Sequence, residues 1–367
     1  MLSQDARRRT FHTLDGMRGV AAICVLLLHL PVTGNWPLPG AHLAVDLFFA
    51  LSGFVLAYAN EDRLRAGMGW ARFMGQRYLR LYPLYILGTV AVAVLTLLPG
   101  QGQDHPARVG VQLGFALLFL PVPPGLTDGP LFPLNFPAWS LFYELVANLL
   151  FALSVKHITP RRLAAFLVVA GLALIVEGVH RHTLDLGWNY ITKVGGVVRV
   201  LFSFAAGIGV HQLWKRGWRT PRLPAVLVAL APAPLFLIPG DRAAVELVEA
   251  LLAFPLLILA GASTEPSCRW RPLLTLSGEI SYPLYVLQAA MMLAAARIAP
   301  YQFSTDPFSA DPFGLSGGRY TGVLVAMFIP ASLLVSWLAY RLYDVPVRRA
   351  LRRLGSRRAM VQKASPI

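Results

Sequence analysis

The chain has 367 residues, of which 56% are apolar and only 14% charged, with a mean hydropathy of +0.57. These values exclude a soluble globule, a disordered chain, collagen, a coiled coil and a small disulfide scaffold. They leave a polytopic membrane protein that needs roughly 20 apolar residues per crossing. The formal net charge of +15 would suggest nucleic acid on a soluble protein, but a bilayer protein concentrates Lys and Arg in its cytoplasmic loops.

Apolar runs bounded by charges, Pro or Gly predict ten helices at about 15–31, 43–60, 78–98, 137–155, 161–179, 195–214, 222–239, 244–262, 276–299 and 320–343. Gly110 to Pro121 is apolar but too short to cross. It lies in the longest loop, about 99–136, which is expected to shape recognition of a substrate. With the N-terminus placed in the cytoplasm, 24 of the 33 Lys and Arg residues fall in inner segments and five (Arg108, Arg181, Lys193, Arg242, Arg319) in outer loops. That bias predicts an all-α protein of the inner membrane with both termini cytoplasmic, a membrane domain over 1–347 and a basic tail over 348–367. It also removes the case for nucleic acid. Three arginines before an apolar stretch resemble a signal peptide, but Pro31, Asn35 and Trp36 stand where a cleavage site would lie, so the first helix is expected to be retained.

Ionisable residues inside spans are costly and are functional candidates by default. Arg18 and His29 lie eleven residues apart on the first helix, close to three turns, so they share a face with roughly 16 Å between them. Taken singly, each reads better as an interface anchor, and it is the pair on one face that points to function. Asp46 opens the second helix and reads as a helix-start carboxylate or as a neighbour of His29. Glu144 is two turns inside the fourth helix, deeper than capping explains, and a buried carboxylate near an imidazole could orient it. Arg77 and Arg80 precede the third span and share a helical face if the helix already runs there. With Arg18 they could grip a phosphorylated ligand bidentately. Ser277 reads as the cap of the ninth helix, with Glu279 in its first turn and Tyr282 and Tyr285 as packing residues. No metal-binding, P-loop or GxSxG pattern is present.

These residues resemble acyltransferase family 3, the integral-membrane acyltransferases of bacterial surface polysaccharides and other hydroxylated acceptors. Leu14 to His29 matches the family's Arg/Lys-x10-His opening, and Val45 to Ala57 matches its second-helix signature around Asp46. Arg77-x-x-Arg80, the Pro137 to Glu144 run and the Ser281-Tyr282-Pro283-Leu284-Tyr285 run follow in family order, and Asp344-Val345-Pro346 is similar to the family's Glu-x-Pro. Gln288 stands where many members have His. The resemblance implies an acyl-CoA donor, most often acetyl-CoA, bound from the cytoplasm by Arg18, Arg77 and Arg80. It implies His29 as general base or direct acyl acceptor, with Asp46 or Glu144 orienting it, and a glycan or other hydroxyl as acceptor. It implies no metal and leaves the oligomeric state open, a homo-oligomer included. The rival reading is a transporter or flippase of a lipid-linked or polysaccharide intermediate, which would carry similar intramembrane charges, though no internal repeat supports it.

Overall fold

The computed structural model describes residues 9–29, 38–99, 105–127, 129–221, 223–238, 242–298 and 321–353. Pro31, Asn35, Trp36, Arg319 and the tail beyond Arg353 lie outside them. Among the described residues the protein is helical throughout, with one isolated antiparallel bridge between Pro130 and Asn189.

The helices are α1 (His12–Leu28), α2 (Ala44–Arg65), α3 (Trp70–Leu97), α4 (Pro106–Leu117), α5 (Ala138–Ser154), α6 (Pro160–Arg181), α7 (Lys193–Lys215), α8 (Ala225–Leu230), α9 (Pro232–Leu235), α10 (Arg242–Val248), α11 (Phe254–Ser263), α12 (Arg271–Ile298) and α13 (Thr321–Leu338). Seven described helical segments are long and apolar enough to cross a membrane. One is the run Arg242–Ser263, in which a wider π-turn over Glu249–Ala253 joins α10 to α11. At 17 residues, α1 is shorter. At 28 residues, α12 is long and continuous, but Glu279, Ser281, Tyr282 and Gln288 break up its apolar run. The seventh predicted span differs most. Pro232 and Pro234 cannot continue a helical hydrogen-bond ladder, and the segment breaks into α8 and α9.

Three other boundaries shift. Helix α3 starts eight residues before the predicted span, so Arg77 and Arg80 lie inside it and share a face. Helix α12 starts at Arg271, which makes Ser277 an interior residue rather than a cap. There it packs against α1, where a Cβ on Gly19 would meet its side chain at 2.5 Å. Helix α13 continues through a π-turn (Ala339–Asp344) and past Pro346 to Arg353. The wider turn accommodates a residue that has no N–H to donate.

The centre of the bundle is set by backbones in near contact. A Cβ on Gly53 of α2 would sit 2.0 Å from the Phe204 carbonyl oxygen of α7, and one on Gly207 would sit 2.0 Å from that of Ala50. Small residues permit this approach where apolar side chains have no solvent to escape from. Outward faces of α6 and α13 expose Val169, Val176, Met327 and Leu334, as a lipid-facing helix should.

Candidate functional site

Among the described residues, two cavities gather the candidate site residues. The first, of about 380 Å³, gathers arginines from four separate segments: Arg18 on α1, Arg63 on α2, Arg77 and Arg80 on α3, and Arg352 beyond α13. Arg77 is buried, and its Nη2 donates to Glu144 Oε1 at 2.8 Å. Ser52 Oγ donates to the same carboxylate oxygen at 2.7 Å. Arg77 Nε is buried with no partner, and Arg18 leans on Asp15 at 3.7 Å. Among the described residues Glu144 is the single carboxylate on the cavity wall, so the wall is strongly positive. Such a surface suits a multiply charged anion, because guanidinium matches phosphate bidentately.

The second cavity, of about 510 Å³, contains His29. The imidazole follows the last turn of α1, and its ring packs on Phe136 with centroids 4.6 Å apart. Its Nδ1 lies 2.8 Å from the Val25 carbonyl oxygen. A carbonyl only accepts, so Nδ1 carries the proton, and in the neutral imidazole this leaves the lone pair on Nε2, where it can act as a base. Gln288, fully buried, lies beside the ring and donates to the Tyr285 carbonyl at 3.0 Å.

Val45 and Tyr285 line both cavities, so the two spaces adjoin at these residues. The Tyr285 hydroxyl is pinned by Ser140 Oγ at 2.7 Å. Arg18 and His29 thus open onto adjoining spaces on one side of α1, as their spacing requires.

Neither predicted carboxylate is hydrogen-bonded to His29. Asp46 is fully buried in an ion pair with Arg199, at 2.6 Å from Nη2 and 3.1 Å from Nε, and accepts from Ser203 at 3.2 Å. Arg199 also donates to the carbonyls of Leu186 and His42 at 2.6 and 3.1 Å. The cluster ties α7 to the start of α2, which gives Asp46 a structural partner that a helix-start reading does not supply. Glu144 faces the arginine cavity. Asp185, from the loop between α6 and α7, is the carboxylate that shares the cavity wall with His29 and Glu246. Among the described residues no cluster of three or more His, Cys, Asp or Glu side chains could hold a metal ion.

The model for the acyltransferase domain of family 3 matches residues 11–341. The chain belongs to acyltransferase family 3. This membrane acyltransferase is 39% identical over 188 residues to "Protein 2 in picA locus" of Rhizobium radiobacter, covering 48% of this chain and 97% of the relative. It is 28% identical over 290 residues to "Acyltransferase MdmB" of Streptomyces mycarofaciens, covering 71% of this chain and 69% of the relative. No solved structure matches.

The acyltransferase's second cavity draws less on the 99–136 loop than its length suggests. Pro130 and Phe136 contribute, but Thr183, Asp185 and Trp188 come from the loop between α6 and α7, and His42, Arg242 and Glu246 from elsewhere. Glu246 holds this rim together. It accepts from Arg242 at 2.7 Å, from Thr183 at 3.1 Å and from the Leu184 amide, and lies 3.2 Å from His42 Nε2. Sequence reasoning passed over Arg199, Ser52, Asp185 and Arg352. Only Arg199 carried a usable signal, as a charge in mid-span that needs a partner.

Proposed function

We propose that this protein moves an acyl group, most simply acetyl, from cytoplasmic acyl-CoA to a hydroxyl of a surface or exported glycan. The observation that carries this reading is the pair of adjoining cavities, one walled by arginines and one holding a base-ready imidazole. The CoA phosphates lie against Arg18, Arg77 and Arg80, and the slim pantetheine arm passes the Tyr285 wall along α1. The acceptor enters the second cavity, where His29 Nε2 takes the proton from its hydroxyl as the oxygen adds to the thioester carbon. When the tetrahedral adduct collapses, the C–S bond breaks and the CoA sulfur takes the proton from His29. Atoms and charge balance without a further cofactor.

The arginine cavity then faces the cytoplasm, both termini lie inside, and the chain makes ten crossings of the inner membrane, with α8, α9 and their flanks forming one of them. The distribution of Lys and Arg favours that orientation. Purified protein in lipid nanodiscs, given acetyl-CoA and a hydroxylated glycan, should release free CoA thiol in proportion to acetylated product. Substituting His29 by Ala should cut release by roughly 10²- to 10⁴-fold in a protein that still binds CoA. Movement of a lipid-linked glycan without any thioester would instead support a transporter.

A further inference from the structure

Arg352 follows α13 on the helical extension that ends at Arg353. Asp344, Arg348 and Arg352 are four residues apart, so they form one stripe along that helix. The stripe is anchored at its inner end, where Asp344 is buried and Arg348 Nη2 lies 2.5 Å from Asp344 Oδ2. This anchoring turns Arg352, rather than its neighbours, onto the wall of the arginine cavity. Across that wall stands Arg63, near the end of α2, with Nη1 donating to Asn60 at 3.3 Å.

The cavity is graded in depth. Arg77, beside Glu144, is buried and Arg18 and Arg63 are half-buried, whereas Arg80 and Arg352 are exposed at the mouth. A donor whose thioester reaches past Tyr285 toward His29 must leave its far end at the exposed rim. In CoA the diphosphate lies between the pantetheine arm and the adenosine, and the remaining phosphate is on the ribose at the far end. We infer that Arg352, with Arg63, forms a rim subsite for that ribose phosphate, so that the enzyme selects the fully phosphorylated nucleotide thioester over the same thioester without it. The inference rests on the acyl-CoA reading above and adds a subsite to it. Two guanidinium groups from separate helices suit a dianionic phosphate, and the subsite needs no contact with the reacting atoms.

The test compares acetyl-CoA with acetyl-dephospho-CoA as donors for the purified protein in nanodiscs. The wild type should show a KM at least about tenfold lower for acetyl-CoA, the scale of one charge-assisted hydrogen bond. In Arg352→Ala the ratio of the two KM values should collapse toward one, with kcat for acetyl-CoA retained, and Arg352→Lys should keep part of it. Arg63→Ala should move the ratio the same way. A wild-type ratio near one, or an Arg352→Ala variant whose two KM values rise together, would overturn the subsite while leaving the donor reading in place. If the wild type used neither thioester, both would fall.

Discussion

The buried pair of Asp46 and Arg199 gives the sharpest test of how the bundle is held. Their side chains are 0% and 1% exposed, and Asp46 supplies two of the guanidinium's nitrogens with acceptors. Changing Asp46 to Ala leaves Arg199 with two carbonyl acceptors and an uncompensated charge in the protein interior. Losing one member of a buried pair costs about 3–5 kcal/mol, roughly a hundredfold or more in the folded-to-unfolded ratio. Replacing both partners by apolar residues, Asp46→Leu with Arg199→Met, leaves no stranded charge and should recover most of that loss. Unfolding in detergent micelles, measured for the wild type, both single variants and the double, closes the cycle and yields the coupling energy. The reasoning is refuted if Asp46→Ala costs under about 1 kcal/mol, or if the double variant is no more stable than the singles. Turnover by the same proteins adds a second readout. A folded double variant that still consumes acetyl-CoA makes Asp46 a positioning residue, whereas a folded, inactive one places it in the chemistry.

Other outcomes follow from the same structure. Arg80→Ala should raise the KM for acetyl-CoA about 10- to 100-fold with a smaller effect on kcat, as loss of a charged phosphate contact does, and steady-state kinetics at fixed ionic strength would show it. His29→Ala should lower kcat by roughly 10²- to 10⁴-fold while calorimetry still detects CoA binding, because the imidazole and the arginines line different cavities. Tyr285→Ala should open the wall between the cavities and raise acceptor-independent hydrolysis of acetyl-CoA, whereas Tyr285→Phe, which loses only the hydroxyl's bonds to Ser140 and the Pro137 carbonyl, should not. Gly53→Leu should prevent assembly of a monodisperse protein, since its Cβ alone would sit 2.0 Å from a backbone oxygen that cannot rotate away. Size-exclusion chromatography of the solubilised variant would reveal this.

Three of the arginines of the first cavity were readable because charge is scarce in this chain. Arg18, Arg77 and Arg80 lie near the ends of apolar runs in a pattern that spacing alone can relate. The role of Tyr285 was hidden, because a tyrosine in an apolar helix looks the same whether it fills the core or forms a partition. Asp185 and Arg352 were hidden for a different reason. One is in a loop and the other in a basic run that topology already accounts for, so neither breaks a local rule.

By itself the sequence determined that the chain folds as helices in a membrane, which of its segments are apolar, and that Arg18 and His29 face the same way. Those properties follow from composition and from the 3.6-residue period, which act within one segment. Tertiary structure decided the pairing of charges: Asp46 with Arg199 across 153 residues, Glu144 with Arg77 across 67, and Arg352 folded back toward Arg18. A carboxylate in a low-dielectric interior takes whichever cation packing brings within reach, and that depends on how helices far apart in the chain come together.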